Sequence, residues 1–205
     1  MTGLWRGAHP LVLASKSVAR RKLLAASGIP FEIRPAGIDE RTIEAPLIAA
    51  RADAQCIARQ LSRAKALEVG RTRPGRIIIG ADQTLDFNGR VLGKPPDRQA
   101  AMAQLQALSG QTHTLCSGCC VVRGDAVLFQ TVEIARLTCR KLGPEFVEAY
   151  MKESGDAILN CAGAYQVEGL GIHLFEKIEG DHSTILGLPL LPLLAFLRAD
   201  GSLLS

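Results

Sequence analysis

Four short stretches carry residue types that could do chemistry together. The first is Leu13-Ala14-Ser15-Lys16-Ser17-Val18-Ala19-Arg20-Arg21-Lys22. An apolar strand running into a serine-capped helix leaves free backbone N–H groups at the helix start, and these suit an anion. Cations in the first turns oppose the helix dipole by roughly 0.3–1 kcal/mol each when exposed. A bound phosphate would reverse that sign, and a solvated basic face is the plain alternative. The P-loop pattern GxxxxGK[ST] is absent. The second stretch is Gly80-Ala81-Asp82-Gln83, where an acid directly follows an apolar strand. At the carboxyl edge of an α/β sheet such an Asp could hold a divalent metal or orient a water, or merely cap a turn. The third is Leu92-Gly93-Lys94-Pro95, whose lysine could meet a phosphate, although a lysine in a surface turn is commonplace. The fourth has Gly163, Gly169 and Gly171 around Glu168. Glycines there let backbone approach a ligand closely, or make a plain flexible loop.

Elements able to position these residues alternate along the chain. Leu11–Ala14 reads as a buried strand, and Ser17 to about Ser27 as a helix with Leu23 and Leu24 inward and Gly28 ending it. Phe31–Arg34 reads as a strand leading into the loop 37–40. The alanine-rich stretch from Pro46 to about Glu68 reads as one long helix with Pro46 in its first turn. Arg76–Ala81 has the composition of a central strand, and Asn88-Gly89 marks a hairpin. A helix over 97–108, a long antiparallel pair over 112–122 and 126–138, and a helix over 144–153 follow. A strand over 173–178 and a helix over 189–198 complete the order. The fold class is α/β, a mixed, strongly twisted sheet flanked by helices, forming one domain over residues 1–205.

The composition fits that scaffold. Of 205 residues, 47% are apolar and 21% charged, which excludes a disordered chain and supports an ordinary core. No apolar run approaches the roughly 18–20 residues of a membrane span. The only apolar run near the N-terminus, Leu11–Ala14, is too short for a signal-peptide core, so a cytoplasmic location is expected. The net charge of +4 permits an anionic ligand but argues little for nucleic acid. Aromatics at 4% disfavour a stacking platform for single strands. Arg51, Arg59, Arg63 and Lys65 alternate with alanines, the pattern of a solvated face. The six cysteines read as free thiols; Cys116-Ser-Gly-Cys119 beside His113 lacks the second ligand pair of a zinc site.

The motifs taken together resemble the Maf (septum-formation-inhibitor-like) family of nucleotide pyrophosphatases. LASKSxxRRxLL, IDE, IGAD, LGKP, LSGxTH, AGAYxxEGLG and EGDxSxxxGLPL follow in the family's order from Leu11 to about Arg198. The resemblance implies a nucleoside triphosphate substrate cut between the α and β phosphates, with a divalent metal (Mg, Mn or Co). It implies Asp82 as the proton acceptor and Ser17, Arg20, Lys65 and Lys94 as phosphate contacts. Glu40 then stands with Asp82 as an acid that helps hold metal, and Asp181 matches a family acid of undefined role. The family's dTTP/UTP branch reads SPRR, GADT and AYxIQG. Gln83 and Glu168 depart from it toward the 7-methyl-GTP branch. A carboxylate can accept from the adjacent N1–H and 2-amino donors of guanine, whereas uracil and thymine pair an acceptor with a donor. Methylation at N7 makes the base cationic and strengthens that contact. Ala19 stands where this branch has Trp, which removes an aromatic platform. A dTTP/UTP pyrophosphatase and a weakly catalytic nucleotide-binding regulator of cell division are the rival readings. A homodimer through the apolar stretch 188–197 is compatible with the same residues, as is a core role for it.

Overall fold

The computed structural model describes residues 3–205. Strands β1 (Leu11–Leu13) and β2 (Phe31–Ile33) lie parallel to each other and to the start of β3 (Ile77–Phe87). Beyond β3 the direction changes. β5 (Thr112–Arg123), β6 (Ala126–Cys139) and β7 (Phe175–Glu179) continue the sheet antiparallel in the order β2-β1-β3-β5-β6-β7. The short β4 (Arg90–Leu92) folds back on β3 through the Asn88-Gly89 turn, whose φ angles of 53° and 76° suit the tight hairpin. The sheet is therefore mixed, as the alternating and then hairpin-linked elements predict.

Strand β3 is longer than its apolar run. It continues through Asp82 to Phe87, because Gly80 to Asp86 pair with β5 without interruption. Asp82 thus lies mid-strand opposite Gly118, not just after the strand as the sequence reading expects. Its other edge is divided. β1 pairs at Ile78 and Ile79, β4 pairs from Leu85 to Phe87, and Gly80–Thr84 carry no strand partner on that side among the described residues.

The helix expected from Pro46 to Glu68 is two helices, α2 (Glu40–Ala49) and α3 (Ala54–Thr72). Two aspartates set their starts. Asp39 Oδ1 accepts from Arg41 N at 3.0 Å, so Glu40 opens a helix instead of ending a loop. Asp53 Oδ1 accepts from Cys56 N at 2.7 Å and begins the next. Between them Arg51 takes a left-handed φ of 56°, and Pro46 falls inside α2. The other helices are α1 (Val18–Ala26), α4 (Arg98–Leu108), α5 (Pro144–Ser154), the single turn α6 (His182–Ile185) and α7 (Leu190–Ala199). His173 and Leu174, expected to begin a strand, end a 3₁₀ turn (Leu170–Leu174) that leads into β7.

Helix α3 lies unusually close to the sheet. A Cβ on Gly80 would stand 2.1 Å from the Ser62 carbonyl oxygen, and one on Gly118 would stand 2.5 Å from that of Ala58. These two glycines let helix backbone touch strand backbone. On the opposite face Leu11, Leu13, Leu24, Ile79, Leu188, Leu193 and Leu197 form one buried cluster, so the 188–197 stretch contributes to the core. Leu191 alone in that stretch is a well-exposed large apolar residue, at 60%. All six cysteines are free, and Cys116 and Cys119 belong to different core clusters on the two faces of β5. No helix among the described residues is long and apolar enough to cross a membrane.

Candidate active site

The unpaired length of β3 opens a cleft floored by charge. Gly80 and Asp82 share the face of β3 that meets α3, two residues apart. The close approach at Gly80 brings Lys65, three residues after Ser62, down to that face. Lys65 Nζ hydrogen-bonds Asp82 Oδ1 and reaches Glu40 Oε1 at 2.8 Å. Lys65 and Asp82 are almost completely buried, at 8% and 6% exposed, whereas Glu40 is half-buried. An ammonium has three hydrogens, so one stays free for a ligand. Asp82 Oδ2 has no hydrogen-bond partner among the described residues.

Glu44 stands one turn after Glu40 on α2 and was not singled out by the sequence. Burial raises its carboxyl above the ordinary value, and the charges of Asp82 and Glu40 add to this. Burial acts on Glu40 in the same sense, but the Lys65 hydrogen bond and the Lys65, Lys94 and Arg20 charges hold it below the ordinary value. Lys94, exposed in the turn after β4, thereby acts on this acid group across the cleft.

Arg20 closes the edge of the cleft. Its Nη1 donates to the Ala81 carbonyl at 2.7 Å and to Ser15 Oγ at 3.3 Å, and its Nε donates to the Gly187 carbonyl at 2.7 Å. The guanidinium takes the place of a missing strand partner on β3. Burial lowers its pKa from the ordinary value, against the pull of Asp82 and Glu40. Its Nη2 has no hydrogen-bond partner among the described residues. Arg21 and Lys22 are exposed, so only Arg20 of the three cations turns inward. Ser17 caps α1, its Oγ accepting from Arg20 N at 3.3 Å while its own proton remains to donate. Ala19 lies half-buried on the first turn of α1.

Gln83 points to the other face of β3. Its Nε2 meets Ser117 Oγ at 2.9 Å and the Thr184 and Ile185 carbonyls at 3.1 and 3.0 Å. Its amide donors therefore anchor α6, and that turn sets Gly187 against Arg20. Asp181 has a defined place in the same unit. It caps α6, accepting from Ser183 N at 3.0 Å and Thr184 N at 3.3 Å as well as from the Ser183 hydroxyl. Chiefly the Ser183 bond holds its carboxyl below the ordinary value. Ser15, Ser117, Gly187 and the α6 carbonyls were missed by sequence reasoning, because nothing local marks a backbone carbonyl as a partner.

Glu168 stands exposed on the 163–171 segment. The half-buried Cys161 thiol, raised first by burial, also feels Glu168 and Lys94 in opposite senses, which puts both charges near it. Gly163 packs on Leu85 of β3, three residues beyond Asp82. The structure thus brings Asp82, Lys65, Glu40 and Arg20 together, with Lys94 near enough to act on Glu40 and Glu44, while Glu168 is tied to the group only through Cys161, which it shares with Lys94. A groove of about 460 Å³ between α4 and α5, lined by Arg98, Met102, Glu148 and Met151, holds none of these residues.

A mixed α/β sheet split by a cleft of buried cations and carboxylates defines the class of protein. A sequence model of the Maf-like protein family matches residues 10–200, and the chain belongs to that family. It is 53% identical over 197 residues to a nucleoside triphosphate pyrophosphatase of Nitrobacter winogradskyi, covering 96% of each chain. A protein of the same description from Rhodopseudomonas palustris is 52% identical over 201 residues, 98% of each chain. A 7-methyl-GTP pyrophosphatase of Brucella abortus is 49% identical over 190 residues, 93% of this chain and 96% of that one.

Proposed function

We propose that this chain is an enzyme that hydrolyses nucleoside triphosphates between the α and β phosphates, with 7-methyl-GTP or a related modified purine nucleotide as its substrate. The buried Asp82 held by Lys65 is the observation that carries the reaction. Lys65 fixes one carboxylate oxygen and leaves the other to orient a water toward the α phosphorus and take its proton. Phosphoryl transfer needs such positioning and compensating charge more than covalent help. Arg20, Lys65 and Lys94 supply that charge to the triphosphate, and Ser17 donates its hydroxyl proton to a phosphate oxygen.

The carboxylates of Glu40 and Asp82, both on Lys65 Nζ, are a hard-oxygen donor set suited to Mg²⁺ or Mn²⁺. No group of three acidic, histidine or cysteine side chains among the described residues is assembled to hold a metal alone. A divalent ion there would be held by Glu40 and Asp82 together with substrate phosphates, and would supply compensating positive charge to them. Glu168 supports the purine reading, since it is an exposed acceptor pair whose charge, like that of Lys94, is felt at Cys161. Similarity to the Brucella abortus protein supports it too. The free thiols fit a reducing cytoplasm.

The test is product analysis on 7-methyl-GTP, GTP, UTP and dTTP with Mg²⁺, Mn²⁺ or Co²⁺. Equimolar monophosphate and pyrophosphate are expected, with the highest kcat/KM on 7-methyl-GTP. Stepwise release of orthophosphate would overturn the reaction, and preference for UTP or dTTP would overturn only the base.

A further inference from the structure

A histidine and a tyrosine lie buried outside the charged cleft and take no part in the reaction above. His113 Nε2 and the Tyr165 hydroxyl are 2.6 Å apart, with the residues 2% and 6% exposed. We propose that this pair is a positioning device for Glu168, and that through it β5 sets the discrimination between bases. The proposal rests on the reading of Glu168 as the base acceptor.

The chain on either side of Tyr165 explains why one bond has such leverage. Before it, Gly163 and Ala164 adopt left-handed φ angles of 76° and 58°. They are held there by Gly163 N donating to Gln104 Oε1 at 3.1 Å and Tyr150 OH donating to the Ala164 carbonyl at 3.2 Å. After it, the chain makes a narrow loop. Gly169 N donates to the Gln166 carbonyl at 3.2 Å, and a Cβ on Gly171 would stand 2.3 Å from that same oxygen. Gln166, Glu168, Gly169 and Leu170 are all exposed. Tyr165 is therefore the last buried side chain before Glu168, and the loop moves as its stem moves.

The ring of Tyr165 packs edge-on to Phe175 at 4.9 Å, and His113 lies 5.6 and 5.9 Å from the two rings. Ring packing fixes depth, but edge-on and tilted apolar contacts carry no directional bond to the end of the ring. The hydroxyl bond to His113 supplies it. His113 Nδ1 is buried with no partner among the described residues, so the imidazole spends its polarity on Tyr165 alone.

Tyr165→Phe keeps the ring and deletes the bond. The experiment is a double-mutant cycle of Tyr165→Phe with Glu168→Gln, reading kcat and KM on 7-methyl-GTP and UTP. A parallel arm follows hydrogen exchange at the Gly169 and Gly171 amides. Loss of one buried hydrogen bond corresponds to roughly three- to tenfold. Tyr165→Phe should lower kcat/KM on 7-methyl-GTP by about that factor through KM, leave UTP within about twofold, and cost nothing more once Glu168 is Gln. Exchange at both amides should speed up in Tyr165→Phe and in His113→Phe. Equal losses on both substrates, or additive losses in the double variant, overturn the proposal and leave the pair a stability element. Unchanged exchange overturns it whatever the substrate. Wild-type base ratios in Glu168→Gln would instead overturn the reading of Glu168 itself.

Discussion

A buried lysine between two carboxylates is stable only while all its partners are present. Removing one member of a buried pair costs about 3–5 kcal/mol, because the remaining charge stays out of water. Lys65→Met should therefore destabilise the protein by about 3 kcal/mol in urea unfolding. The double variant with Asp82→Asn should recover part of that loss, since no lone carboxylate is left. Asp82→Asn alone keeps the shape and should reduce kcat by at least ~100-fold with little change in triphosphate binding. Near-normal turnover in a folded Asp82→Asn protein would remove it from the reaction. Residue identity at this scale was largely legible in the sequence. Asp82, Lys65, Glu40 and Arg20 were all named; the first three do meet, and Arg20 lies close enough for its charge to act on both acids. Their bonding was not. Arg20 reads as a phosphate ligand from its type, yet three of its contacts are to the Ala81 and Gly187 carbonyls and Ser15. Backbone acceptors have no letter in a sequence. Gln83 is a similar case, a polar side chain whose donors are used up on α6.

Among elements, the contact between α3 and the sheet decides whether the site exists. Gly80→Ala would push the Ser62 carbonyl away from a Cβ only 2.1 Å off, and the atom in the way is backbone. The helix must lift, carrying Lys65 off Asp82. Loss of stability by about 2–3 kcal/mol is expected, as for other overpacked sites. Activity should fall at temperatures where the variant is still folded, and normal kcat in Gly80→Ala would show that Lys65 needs no such closeness. Helix α3 also depends on its cap, and Asp53→Ala should cost about 1 kcal/mol. Most strands and helices were readable from apolar runs and turn residues. The break at 50–53 was missed because alanine-rich sequence on both sides hides it, and only Asp53 and the left-handed Arg51 mark the change. Strand β3 was cut short at Ala81 because Asp82, Gln83 and Asp86 lower its apparent hydrophobicity. Pairing with β5 supplies what composition does not.

At the scale of the whole molecule, stability should depend on pH through His113. Burial drops its pKa from 6.5 to about 4. The unfolded chain then binds the proton more readily, so this contribution is complete above about pH 6.5 and is lost as pH falls toward 4. The shift corresponds to about 3 kcal/mol. Urea unfolding at pH 7 and pH 4.5 should show this loss in wild type and a shallower one in the His113→Phe/Tyr165→Phe double variant. Equal slopes would mean that the carboxylates, such as Asp181 and Glu40, account for all of it.

Strand β3 belongs to both the parallel and the antiparallel part of the sheet, and this has a consequence for the chain as it is made. By the time Lys94 has left the ribosome, the residues assigned to the phosphates and the water are all present in the polypeptide. Asp82 nevertheless has no fixed position, because the β5 residues that pair with its strand are still to come. The nascent chain carries its reactive groups early and arranges them late. A half-made protein is thus a poor nucleotide hydrolase even though its chemistry is already written.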